Sequence, residues 1–138
     1  MKFLMMVRCS QADYEAMGGK GSAGSPAWSE QDMQAMFAFM GRLNEDLTKS
    51  GEMVDGQGLT EPAKARSVGL DENGKVVVTE NPYEATEMVI AGYWVLECDS
   101  YDRATEIAGR VLECPVPEGT PIIPVHLRPI DAGPERAS

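Results

Sequence analysis

The chain's single histidine, His126, stands two residues before Arg128 in the stretch PVHLRP. Residues two apart on an extended strand share a face, so an imidazole that titrates near neutrality would stand beside a guanidinium that forks onto carboxylates. That pairing suits an acid–base group with an anion clamp, although a solvated histidine and arginine near a strand end would read the same way. A second group, Glu80-Asn81-Pro82-Tyr83, could aim a carboxylate, an amide and a phenol at a pocket from one turn. The same proline-stiffened turn could equally serve only to order the segment that follows. Asp55 and Glu97 complete the candidate bases, with surface or edge carboxylates as the plain alternative.

Other chemistries lack their motifs. GGKGS resembles a phosphate-binding loop, but Lys20 is followed by Gly21 and Tyr14 occupies the place of the first glycine. Cys9, Cys98 and Cys114 are odd in number and have no CxxC spacing, which argues against a disulfide framework and a zinc knuckle. With no HxH or HExxH either, no metal site and no cofactor are expected. The nine methionines read as core filler. Twelve Lys and Arg against 22 Asp and Glu leave a net charge of -10, which repels phosphate backbones and anionic lipid. Nucleic acid and membrane are therefore poor partners, and Lys64 with Arg66 reads as solvated edge charge. The apolar run from Phe3 to Val7 is shorter than a signal-peptide core, and no stretch approaches the ~20 apolar residues of a membrane helix. A soluble cytoplasmic chain is the expectation.

At 138 residues the chain fits one domain, expected over residues 1–130, with 131–138 a flexible polar tail. The alternation of KFLMMVR predicts a strand over residues 2–8 with Phe3, Met5 and Val7 on one face and Leu4, Met6 and Arg8 on the other. The Gly- and Ser-rich stretch from Gly18 to Pro26 reads as a mobile loop, a candidate lid. Ser29 caps a helix running to about Ser50, its stripe of Met33, Met36, Phe37, Met40, Leu43 and Leu47 placed to cover a sheet. Gly51 supplies its left-handed end. EMVDGQGL predicts a strand whose Gly56 and Gly58 would leave one face bare for a ligand, another chain or a bulge.

ARSVGLDE and KVVVTE flank Asn73-Gly74 and predict a β-hairpin. GYWVLEC predicts a strand with Trp94, Leu96 and Cys98 opposite Tyr93, Val95 and Glu97. Asp99 and Ser100 offer caps to a second helix carrying Ala104, Ile107, Ala108, Val111 and Leu112. A last strand from Ile123 to Pro129 puts Val125 and Leu127 opposite His126 and Arg128. The order is a split βαβ repeat with an inserted hairpin, an α+β ferredoxin-like fold with both helices on one face of an antiparallel sheet. The mixed face, bearing Arg8, Tyr93, Glu97, His126 and Arg128, then points away from the helices and calls for a partner, which favours a homodimer with a cleft between sheets.

The stretch VVVTENPYEATEMVIAGYWVLECDSYDRATEIAGRVLECPVPEGTPIIPVHLRPI, with KFLMMV, GEMVDGQGL and the hairpin before it, resembles the YCII-related family and specifically its DGPF-motif branch. The resemblance covers nearly the whole chain. It implies a ferredoxin-like fold forming a dimeric α+β barrel, mostly bacterial and often without an assigned activity. The DGPF stretch is Glu80-Asn81-Pro82-Tyr83 here, keeping the acid, the proline and an aromatic while losing the glycine. The carboxylate and lysine that follow in that branch are Ala85 and Glu87. The other branch carries an early His and Asp, which this chain lacks.

Taken together, the sequence points to a small cofactor-independent enzyme that moves a proton on a small cyclic or aromatic metabolite, by isomerisation, cyclisation or elimination. His126, Glu80, Tyr83 and Glu97 are its candidate catalytic groups; Arg8, Asp55, Asn81, Tyr93 and Arg128 would bind the substrate. A non-catalytic ligand-binding or regulatory protein is the alternative.

Overall fold

The computed structural model describes residues 1–133, so most of the expected tail lies outside the described residues. Strand β1, Lys2–Cys9, is followed by a short helix α1, Gln11–Met17, in a stretch to which the sequence assigns no element. The signal for α1 is Ser10-x-x-Asp13. The Ser10 hydroxyl accepts from the Asp13 amide at 3.1 Å while the Asp13 carboxylate accepts from the Ser10 amide at 2.9 Å, a reciprocal capping box. Seven residues are too few to show a long apolar stripe, which is why periodicity passes over them. The Gly/Ser stretch beyond α1 is not slack: Ser22 and Ser25 exchange backbone bonds of 2.9 and 3.1 Å, and the buried Ser25 hydroxyl donates to Asp13 at 2.7 Å.

Helix α2, Glu30–Lys49, starts on a second capping box, Ser29 with Asp32, and ends before Gly51, whose φ is +77°. Only Leu43 and Leu47 of its expected stripe are fully buried; Met40 and Phe39 pack on the core, and Phe37 is 62% exposed. Twenty residues make a helix of about 30 Å, longer than the ~20 Å of the edge strand that follows.

Strand β2, Met53–Gly58, leads through a single 3-10 turn to the hairpin β3, Arg66–Leu70, and β4, Val76–Glu80. Asp71 closes its turn by accepting from the Asn73 and Lys75 amides at 2.8 and 3.0 Å, and Gly74 takes φ +80°. Asn73 keeps a negative φ, so this is a type I turn with a left-handed glycine bulge in place of the two-residue turn that Asn-Gly suggests. The hairpin is a separate two-stranded sheet, exposed along its length.

Strand β5, Val89–Glu97, helix α3, Tyr101–Val111, and strand β6, His126–Pro129, complete the fold. β6 begins three residues later than predicted; Pro121 and Pro124 have no amide to give a ladder. The main sheet is antiparallel throughout in the order β2-β5-β1-β6, which is the ferredoxin-like α+β arrangement. Its core joins Phe3, Met5, Trp94 and Leu96 of the strands to Leu43 and Leu47 of α2 and Ala104, Ile107 and Val111 of α3. The bare face left by Gly56 is therefore the helix side. A Cβ there would lie 3.3 Å from both Trp94 Cδ1 and Met53 Sδ, so the glycine makes room for the indole, whose Nε1 donates to Asn44 Oδ1 at 2.8 Å. Among the described residues no helix is long and apolar enough to cross a membrane.

Candidate functional site

Strand alternation and register assemble the second face of the sheet. One row across it runs Arg128, Leu4, Val95 and Asp55; the next runs His126, Met6, Tyr93 and Gln57. Rows are about 7 Å apart and strands about 4.8 Å apart, so His126 lies within ligand reach of Arg128 along β6 and of Tyr93 across β1. Arg8 continues the β1 side of the same face, opposite Ile90 at a bulge in the ladder. Lys2 and Glu97 pair at the far end. Leu4, Met6, Tyr93 and Val95 are only half-buried, whereas α2 and α3 pack on the core side of the sheet. The six predicted site residues Arg8, Asp55, Tyr93, Glu97, His126 and Arg128 thus share one face.

Glu80, Asn81 and Tyr83 do not belong to that face, because they end the hairpin and begin the connection to β5. The Glu80 carboxylate is held by Arg66 at 2.7 Å across the hairpin base. Asn81 adopts φ +47° and donates its amide to the Ala65 carbonyl at 3.1 Å, a left-handed position that asparagine tolerates. Tyr83 is exposed. Glu97 is likewise engaged, 2.7 Å from the N-terminal ammonium, and Asp55 accepts from the Gln57 amide nitrogen at 3.2 Å.

Sequence reasoning missed two polar clusters. At α1, the Tyr14 hydroxyl donates to the Leu59 and Ala91 carbonyls at 2.9 and 3.3 Å, strapping the helix to the sheet. Burial, and then the Asp13 carboxylate, push the Cys9 thiol up to about 11; burial also raises Tyr14, with Cys9 adding to it. Burial raises Cys98 and Cys114 as well, so none of the three thiols is activated for nucleophilic attack. The second cluster is Glu52, which accepts from Arg103 Nε at 2.8 Å and Nη2 at 2.9 Å and from the Ser50 hydroxyl at 2.7 Å. The hydrogen bonds from Arg103 hold its carboxyl below the usual value. Both clusters brace the fold. Among the described residues no group of three or more His, Cys, Asp or Glu side chains is placed to hold a metal ion.

On the helix side, a shallow hollow of about 500 Å³ opens between α3 and β6, bordered by Tyr101, Thr105, Leu112 and Val125 and reaching His126 and Arg128. The strand carrying the histidine therefore edges both a sheet face and an apolar hollow. Compared with known families, the profile of the YCII-related domain matches residues 1–117. Among curated proteins no match is found.

Proposed function

The chain belongs to the YCII-related family, and on that premise we propose that it is a small-molecule enzyme working without a cofactor in a cleft closed by a second copy of the chain. The observation that carries this reading is the pair of rows His126–Met6–Tyr93 and Arg128–Leu4–Val95 on the uncovered sheet face. They combine a proton-transfer group, an anion clamp and a half-buried apolar floor, the ingredients of a site for a small cyclic or aromatic metabolite. His126 is the acid–base group, Arg128 orients an anionic substituent, and Tyr93 and Asp55 define the far side. Two such faces laid together would bury the apolar floor that one protomer leaves half-exposed. Excluding water in this way would strengthen each electrostatic contact inside.

The experiment is deuterium incorporation from D2O into a panel of cyclic and aromatic keto acids, followed by proton NMR. Wild type is expected to catalyse exchange into at least one member, and His126→Ala to lower that rate by about a hundredfold or more. Exchange unaffected by His126→Ala would remove the histidine from the chemistry.

One observation favours a second reading, a ligand-binding or regulatory protein without catalysis. Two of the four candidate acids and bases, Glu80 and Glu97, are already engaged by Arg66 and the N-terminal ammonium. Native mass spectrometry showing a tightly retained small molecule, together with no exchange into any panel member, would decide for it.

A further inference from the structure

We propose that Arg8 anchors the carboxylate of a small aromatic or cyclic acid on the open sheet face. Arg66, Arg103 and Arg110 each meet a carboxylate, Glu80, Glu52 and Asp46 respectively, at 2.7 to 2.8 Å. Arg42 and Arg128 make no ion pair among the described residues but are exposed, where water serves their donors. Arg8 is different: its side chain is half-buried, it has no ion pair among the described residues, and its Nε is buried without an acceptor. A buried donor without a partner costs about 1–3 kcal/mol, and native structures keep few of them without a reason such as a missing ligand.

The charge pattern points the same way. The chain carries -10 overall, yet the open face offers the cations Lys2, Arg8 and Arg128 against the carboxylates Asp55 and Glu97. Glu97 is partly neutralised by the N-terminal ammonium at 2.7 Å. A locally cationic face on an acidic protein draws small anions to that face. The first amides of α1, which follows Arg8 closely in the chain, are already engaged by the Ser10–Asp13 capping box. That leaves the guanidinium fork as the local anion-binding element, and its planar geometry matches a carboxylate. Next to Arg8 along β1, the Met6–Tyr93 row supplies the flat apolar surface for the ring.

This assignment rests on the open face being the ligand site, and the test separates the two. Benzoate and its neutral isostere benzamide are titrated into the 15N-labelled full chain at low salt, and amide shifts are followed in wild type, Arg8→Met and Arg8→Lys. Benzoate is expected to shift the Met6 and Tyr93 amides, with affinity falling about tenfold or more in Arg8→Met and benzamide binding unchanged. Arg8→Lys, which keeps the charge and loses the fork, should fall between and covers the case in which Arg8→Met does not fold. Equal benzoate affinity in wild type and both variants, with Met6 and Tyr93 still shifting, would overturn the role of Arg8 and leave the open-face site standing. Benzoate shifts confined to other elements, or no saturable benzoate binding, would overturn both. Inorganic phosphate binding tighter than benzoate would overturn the carboxylate assignment.

Discussion

The two faces of the four-stranded sheet come from one backbone and alternate residues of the same strands, yet Phe3, Met5 and Leu96 are fully buried while Leu4, Met6 and Val95 are only half-covered. An antiparallel sheet can wet one face freely, and a face meant for water would alternate to polar residues. The open face instead keeps an apolar centre with cations and carboxylates at its margins. The difference between the faces is what locates the candidate site.

The comparison breaks most visibly under truncation. Phe3→Ala should cost about 3–5 kcal/mol in urea unfolding, whereas Leu4→Ala, its neighbour on the other face, should cost under about 1 kcal/mol in the protomer and show its main effect as weaker self-association in sedimentation. Similar costs for the two would mean that the faces are not energetically distinct. The thiol at the end of β1 tests burial there. A pKa moved from 9.0 to about 11 cuts the thiolate fraction about a hundredfold near neutral pH, so Cys9 should alkylate that much more slowly in the folded chain than in urea. Because the folded value is the higher, this contribution to stability is intact below pH 9.0 and is lost as pH rises through about 11.

Arg103→Ala should cost about 1.5–3 kcal/mol, since it removes a bidentate partner from Glu52, whose side chain is only 14% exposed. The carboxyl of Glu52 is depressed from 4.5, so this stabilisation is complete above that pH and disappears as pH falls through the depressed value. The penalty of Arg103→Ala measured by urea titration should therefore shrink in acid. Trp94→Phe, which loses the bond to Asn44, is expected to cost about 1 kcal/mol. Smallest of all, Arg66→Ala at the exposed pair with Glu80 should change stability by no more than about 1 kcal/mol, and a larger loss would show that the hairpin is braced by more than its own ladder.

Much of the fold was legible in local periodicity. Alternation assigned Phe3 and Trp94 to the covered face and Tyr93 and His126 to the other, and the helices of Leu43 and Ile107 followed from spacing and caps. Less could be read where an element is short or depends on a distant neighbour. α1 has one buried residue, Ala16, so its only trace is a capping box. The role of Gly56 depends on the Trp94 indole beside it. The candidate site was half legible: Arg8, Tyr93, Glu97, His126 and Arg128 came from strand parity, while the place of Asp55 beside Val95 and the engagement of Glu80 by Arg66 and of Glu97 by the N-terminus were not readable from spacing.

By itself the sequence determined the longer elements and the two-sidedness of the main strands, because helix and strand periods are properties of neighbouring residues. Tertiary structure decided which charges meet. Glu52 finds Arg103 across 51 positions, while the buried Nε of Arg8 meets no acceptor among the described residues. Such pairings depend on strand register and crossover, where distant segments are brought side by side only once the whole sheet is formed.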